Sequence, residues 1–352
     1  MRALVITGPG RAEVQEVDPP TAAPGEVVVE VERAGICGTD AEIFSGHMSY
    51  LEQGVSRFPM RIGHEWCGRV SAVGTGVDPG WLDRRVMGDT MLGCGSCRRC
   101  RRGHRHVCAA REEVGIRGAR AGALAEQLAV PASSLHALPD AVGPTSGALV
   151  EPGGNALRAV QGAQLSDGDR VLIMGPGTIG LLSTLFARAT GAEVHVLGLP
   201  GPHLELARTL GLDGVWDDAT LPDLPWDAVI DAAGAPLLPA RAVELVEPGG
   251  RAVFIGLAGT PTPVDSRELV LADVTAVGVL SASPALEETI AAYASGTVDP
   301  CPIVGSTIAL EEVPDVLAAT PGRGREGAEP RRGPTTAPAR PRGPKVHIDP
   351  HL

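Results

Sequence analysis

Aromatic side chains make up only 3% of the 352-residue chain, and no apolar run reaches the roughly 18 residues needed to cross a bilayer. A helical membrane span is therefore excluded. The apolar stretch in Met1-Arg-Ala-Leu-Val-Ile-Thr-Gly8 is too short for a signal peptide, so a soluble, cytoplasmic protein is expected. Scarce aromatics and a net charge of −12 both weigh against nucleic acid, and the charge also repels anionic membrane surfaces. The one basic cluster, Arg98, Arg99, Arg101, Arg102 and Arg105, reads as the solvated face of a loop. Abundant instead are 46 Gly and 31 Pro on an aliphatic background, which imply many turns between short elements and suit a turn-rich α/β or α+β enzyme. The length points to two domains, or three.

Val27-Val-Val-Glu-Val31 and Arg69-Val-Ser-Ala-Val73 read as short strands in an irregular, mostly β region up to about residue 148. The texture then changes. Arg170–Met174, Val194–Leu197, Ala228–Asp231 and Arg251–Ile255 read as buried strands at βαβ spacing, with a helix over Ile179–Thr190, which predicts a parallel doubly wound sheet over 149–282. A helix over Leu286–Ser295 and a strand over Lys345–Asp349 follow, in a segment 283–352 that returns to the first domain. Between them, residues 321–344 form a Pro/Arg-rich tract with almost no large apolar side chains, expected to be disordered. No internal repeat is found.

Four of the seven cysteines, Cys94, Cys97, Cys100 and Cys108, stand within fifteen residues, close enough to wrap one tetrahedral zinc with no position left open. Such closed sites stabilise folds. Gly35-Ile-Cys37-Gly-Thr-Asp40 and Gly63-His64-Glu65 offer a thiolate, an imidazole and a carboxylate from separate segments, the donor set of a zinc with a free position. Taken singly, Cys37 is equally a small buried thiol and His64 a loop histidine; their company argues for metal. Gly175-Pro-Gly177-Thr178-Ile179-Gly180 follows one predicted strand and opens a helix, as a dinucleotide pyrophosphate site requires.

With these motifs in order along nearly its whole length, joined by Glu151-Pro-Gly-Gly-Asn-Ala156, the sequence resembles the medium-chain, zinc-containing alcohol dehydrogenases. It is most similar to their polyol, threonine and sugar dehydrogenase branches, because Glu151 stands where simple alcohol dehydrogenases carry a cysteine ligand. The resemblance implies a GroES-like, mostly β catalytic domain split around a Rossmann domain. It implies a catalytic zinc held by Cys37 and His64, with Glu65 and Glu151 as ligands or near-ligands, Thr39 as the proton-relaying hydroxyl, and Asp40 orienting His64. Two zinc ions per chain, NAD(P)+, a small polar alcohol as substrate and a homo-oligomer, dimer or tetramer, complete the expectation.

Some features depart from the pattern. Where many relatives end the relay in histidine this chain has Glu42, a pattern that resembles the microbial glucose dehydrogenases, so Glu42 is the candidate relay terminus or an exposed loop residue. Cys67 and Cys301 match no ligand position and are expected to be buried thiols. His47, His104 and His106 have no role, and the last two are expected on the solvated face of the four-cysteine loop. Gly234 and Gly256 are further candidates for cofactor contact. The second strand of the predicted doubly wound sheet ends in Gly198 where NAD-specific chains carry an acid, and His203 is the nearest basic residue, so dual cofactor use with a lean to NADP+ is expected and an aspartate at 198 should oppose it. A non-catalytic zinc-stabilised binding protein and a zinc-free reductase are the rival readings.

Overall fold

The computed structural model describes residues 1–320 and 343–352. An antiparallel hairpin, β1 (Arg2–Gly8) and β2 (Arg11–Glu16), opens the chain. β3 (Glu26–Gly35) is the spine of a seven-stranded sheet, because its run of valines is buried on both sides and pairs with two neighbours at once. After it come α1 (Gly38–Ser45), α2 (Ser49–Glu52), β4 (Glu65–Val73), β5 (Arg85–Gly88), the two-residue β6 (Met91–Leu92), α3 (Arg98–Arg101) and β7 (Glu112–Glu113). Then follow β8 (Gln127–Pro131), β9 (Leu135–Ala137), α4 (Pro144–Ala148) and α5 (Val150–Ala163).

β10 (Arg170–Met174), α6 (Thr178–Arg188), β11 (Glu193–Leu197), α7 (Pro202–Thr209), β12 (Gly214–Trp216), β13 (Trp226–Asp231), α8 (Leu238–Leu245), β14 (Val246–Phe254), α9 (Ser266–Leu271) and β15 (Thr275–Gly278) build the second sheet. Its order is β12-β11-β10-β13-β14-β15, and every pairing is parallel. The near-continuous apolar runs of β10, β11 and β13 suit burial on both faces by α5, α6 and α8. Four strands stand where the sequence predicts them. The two outer strands, β12 and β15, were not foreseen, since three or four residues with no buried apolar run leave no period to read.

α10 (Leu286–Ala294) packs on α5, and β16 (Val304–Ile308), α11 (Val313–Ala319) and β17 (Lys345–Ile348) follow. β17 slots between β16, in parallel, and β3, antiparallel, through His347↔Gly35. The chain's last strand thus lands beside the segment that carries Cys37. The expected disordered tract falls mostly on 321–342, outside the described residues. Its last two residues, Gly343 and Pro344, are described and correct that expectation for themselves: Gly343 is buried so close to Ile303 that a Cβ there would meet the carbonyl at 2.3 Å.

Candidate active site

β3 ends at Gly35, and the turn that follows puts Cys37 at the N-cap of α1, with extended backbone. Asp40 closes the turn by accepting the Cys37 N–H at 2.8 Å, and is wholly buried. His64 and Glu65 arrive from the start of β4, which pairs with the end of β3 through Gly35↔Glu65. These pairings bring Cys37, His64 and Glu65 together, each with a ligand atom within 4.8 Å of the others.

Glu65 does not stand alone. Its carboxylate accepts the Lys345 ammonium at 2.8 and 2.5 Å, and the same Nζ donates to the Ile36 carbonyl at 2.9 Å, with both side chains about 2% exposed. Glu151, in the first turn of α5, is buried; its Oε1 accepts Asn155 Nδ2 at 3.0 Å. Burial, with Glu65 adding to it, pushes the Glu151 carboxyl up to about 7. Lys345 and Asn155 are the residues the sequence reading left without a role, yet they are the only lysine and the only asparagine in the chain.

The electrostatics of the cluster ask for a cation. Burial presses the His64 pKa down, but Cys37, Asp40 and Glu151 outweigh it and hold the imidazole well above its ordinary value. The proton does there what a metal would do. His64 Nδ1 and Asp40 Oδ1 lie 3.8 Å apart, both buried and neither with a hydrogen-bond partner among the described residues. Buried polar atoms left unpaired signal a missing group, and a thiolate, an imidazole and two carboxylates are donors that zinc accepts. The residues present fit the metal. Thr39 sits half-buried on the first turn of α1, and Glu42 shares its helix face three residues on.

The second set is also assembled. Cys94, Cys97, Cys100 and Cys108 have sulfurs all within 4.8 Å of one another, Cys97 Sγ capping α3 by accepting the Cys100 N–H at 3.5 Å. Hydrogen bonds from the Cys97 and Ser96 amides lower the Cys94 thiol to about 6, toward the thiolate a metal binds. Two thiol and histidine expectations fail here and nearby. His106 is only 6% exposed, because the loop closes over it as it brings Cys108 to Cys97, while His104 is exposed as expected. Cys301 is exposed beside Ser146 rather than buried, whereas Cys67 is buried under α4. His47 is exposed, and its ring Nδ1 lies in hydrogen-bond contact with Ser45 Oγ.

The dinucleotide turn lies at the carboxyl end of the parallel sheet. Gly175 leaves β10 with φ +102°, and Gly177 caps α6, opened by Thr178 and Ile179; at Gly180 a Cβ would meet the Gly175 carbonyl at 1.9 Å. Gly198 follows β11, Gly234 follows β13 and Gly256 follows β14, the last two packed so that a Cβ on Gly256 would meet the Gly234 nitrogen at 2.3 Å. All six glycines stand at the carboxyl-end side of the parallel sheet, whose strand order reverses between β10 and β13. His203 is exposed in the first turn of α7, and partial desolvation there lowers its pKa. An aspartate at 198 does not fit simply, since its Cβ would meet the Pro176 ring at 2.4 Å.

Comparison with known proteins agrees with this geometry. Residues 23–140 match the alcohol dehydrogenase GroES-like domain and 178–295 the zinc-binding dehydrogenase domain. An L-threonine 3-dehydrogenase from Saccharopolyspora erythraea is 34% identical over 294 residues, 79% of this chain and 83% of the relative. The chain belongs to the zinc-containing medium-chain alcohol dehydrogenases. Among family structures, an alcohol dehydrogenase from Escherichia coli CFT073 complexed with NADH covers 99% of both chains at 26% identity, with a TM-score of 0.86. A zinc-binding dehydrogenase from Sinorhizobium meliloti 1021 bound to NADP matches with the same coverage, identity and score. Like its family, the chain is an NAD(P)-linked alcohol dehydrogenase of the zinc type. Among the described residues no helix is long and apolar enough to cross a membrane.

Proposed function

We propose that the chain oxidises the secondary hydroxyl of a small polar alcohol, a polyol, sugar, aminocyclitol or amino-alcohol, at the cluster of Cys37, His64, Glu65 and Glu151. The observation that carries this is the buried convergence of Cys37, His64 and Glu65 within 4.8 Å, beside an unpaired Asp40–His64 pair. Zinc bound there supplies a Lewis acid that lowers the pKa of a bound alcohol. Asp40 fixes which nitrogen of His64 faces the donors. Lys345 holds Glu65 at the back of the site, and Asn155 holds Glu151 at its side. Thr39 Oγ1 takes up the substrate proton and passes it along α1 toward Glu42 or solvent. The Gly175–Gly180 turn would hold the pyrophosphate of the dinucleotide, whose nicotinamide would supply the hydride acceptor.

The four-cysteine set holds a second zinc that serves stability, in a catalytic unit of 1–148 and 283–352 flanking a cofactor unit of 149–282. Cofactor use is dual with a lean to NADP+, because no acid follows β11. A reducing cytoplasm keeps the thiols available to metal. The assembly is a homo-oligomer built on β15, whose Thr275, Ala276 and Gly278 are exposed on the open edge of an otherwise buried parallel sheet. Val270 and Leu271 stand 78% and 87% exposed beside it.

The test combines elemental analysis with a screen of polyols, sugars and amino-alcohols, read by absorbance of the reduced nicotinamide. Two zincs per chain, and turnover lost on His64→Ala with little change in Tm, are expected. Substantial activity in His64→Ala would remove the assignment of the open site.

A further inference from the structure

Gly88-Asp89-Thr90-Met91 turns the chain from β5 into β6 and lies against the first residues of β4. Thr90, 2% exposed, donates its hydroxyl to the His64 carbonyl at 3.2 Å, and its own carbonyl accepts the Val114 N–H at 3.0 Å. Gly88 stands so close to Trp66 that a Cβ would meet the ring at 2.4 Å. The turn is thus fastened to the stretch of backbone that carries His64.

Asp89 makes the turn's other connection. Its Oδ1 accepts the Met91 N–H at 2.9 Å and the Ser283 hydroxyl at 2.8 Å, and Ser283 stands in the crossing from β15 to α10. With that proton committed to Asp89, the 2.9 Å contact between the two serine hydroxyls is donated by Ser281, whose oxygen in turn accepts the Ser283 N–H at 3.2 Å. Ser281 has φ +71°, a left-handed backbone that a residue other than glycine keeps only where its surroundings hold it there.

Those surroundings reach both the cofactor side and the open site. Arg158 of α5 donates to the Ser281 carbonyl at 2.8 Å. Val279 donates its N–H at 2.9 Å to the carbonyl of Phe254, at the end of β14 that leads to Gly256. Gly154, in the helix that carries Glu151, lies so near Ala282 that a Cβ would meet its side chain at 2.8 Å. The crossing is therefore tied to the cofactor rim, to α5 and, through Asp89 and Thr90, to the backbone of His64.

We propose that Asp89 and Thr90 are positioning residues that hold the His64 backbone at a setting fixed by the crossing, so that occupation of the dinucleotide turn and the placing of His64 are coupled. This coupling rests on the reading of the open site and adds the route by which cofactor binding reaches a metal ligand. Linkage makes it reciprocal: a cofactor that favours one setting of the crossing is itself bound more tightly when the His64 site is filled.

The experiment follows hydrogen exchange in the peptide spanning residues 60–67 of the zinc-loaded protein, with and without saturating NADH. Extraction by a chelator of the metal that His64→Ala lacks is measured under the same two conditions. NADH should slow exchange in that peptide and make the metal about 5-fold harder to extract, the weight of one net hydrogen bond. Ser283→Ala and Thr90→Val should each abolish the dependence of both readouts on NADH, and Thr90→Ser should restore it, because its hydroxyl reaches the same carbonyl. A merely structural role would lower Tm and speed exchange by the same factor with and without NADH, and that result overturns the proposal. So does an NADH effect undiminished in both Ser283→Ala and Thr90→Val, or missing from the unaltered chain. If Thr90→Val fails to fold, Ser283→Ala and Thr90→Ser decide. One zinc per chain, together with NADH-dependent exchange that needs Ser283, would defeat the reading of the open site and leave the coupling standing. Two zincs and turnover, with an NADH effect indifferent to Ser283 and Thr90, would defeat the coupling alone.

Discussion

Glu65 owes its position to Lys345, and the energetic consequence follows from burial. Two charges about 2% exposed cancel each other at little net gain, but removing one strands the other in a medium that cannot solvate it. Lys345→Met should therefore cost about 3–5 kcal/mol in denaturant unfolding, while Lys345→Met combined with Glu65→Leu should recover most of the loss. A single-variant cost below about 1 kcal/mol would show that the carboxylate finds another partner. The cysteines, His64 and the glycine turn were legible in the sequence because each pairs a scarce chemical type with a fixed local spacing. Lys345 was not, since its partner lies 280 residues away and only the closing of β17 on β3 unites them. His106 was misread for the opposite reason: its arginine neighbours suggest an exposed loop, whereas gathering four sulfurs turns the backbone between Arg105 and Val107 inward.

β17 also carries His347, wholly buried, with both ring nitrogens unpaired among the described residues. Burial, aided by Lys345 and Arg33, pushes its pKa down to about 3 from the usual 6.5. Between those values the unfolded chain binds the extra proton, so the stability due to His347 is complete above pH 6.5 and is lost as pH falls toward 3. Stability should drop by about 2 kcal/mol between pH 7 and pH 5 on this account, and His347→Leu should flatten that part of the profile by the same amount. Parallel profiles for the two proteins would mean that water reaches the ring. At the end of β11 the structure corrects the test of cofactor choice. The sequence suggested an aspartate at 198, but Pro176 occupies its Cβ position, so the charge belongs one residue on, at Leu199, which is 79% exposed. Leu199→Asp should lower kcat/KM for NADP+ at least 10-fold and that for NAD+ far less, since a carboxylate repels the 2′-phosphate and accepts from the 2′-hydroxyl. Equal effects on both cofactors would place the adenosine ribose elsewhere. The parallel core was readable from its apolar runs, while β12 and β15, being short and at the sheet's margins, depend on neighbours that no local pattern encodes.

For the whole molecule, the unsolved economy is the edge of the parallel sheet. Parallel sheets are stable when both faces are covered, and beside β12 Trp216 stacks on His195 of β11. The opposite margin is bare. β15 leaves Thr275, Ala276 and Gly278 exposed, and α9, just before it, and the strand's exit add exposed Val270, Leu271 and Leu280, the last 48% exposed. Natural edges are blunted by charge, proline or a bulge, and β15 has none of these. An edge left open, flat and apolar is one that a second copy completes, and a two-fold contact satisfies both copies with the same residues. The net charge of −12 opposes such association at long range but is screened within about 8 Å at physiological salt, so short-range apolar burial wins. Light scattering after gel filtration should give a dimer or a multiple of it for the unaltered chain. Leu271→Glu with Ala276→Lys should shift the mass to the monomer without unfolding it, because both side chains already face water in the isolated chain and cost nothing there. Dissociation should lower Tm in a concentration-dependent way only for the unaltered protein. A mass unchanged by the two substitutions would place the subunit contact on another face and leave the exposed edge of β15 unexplained.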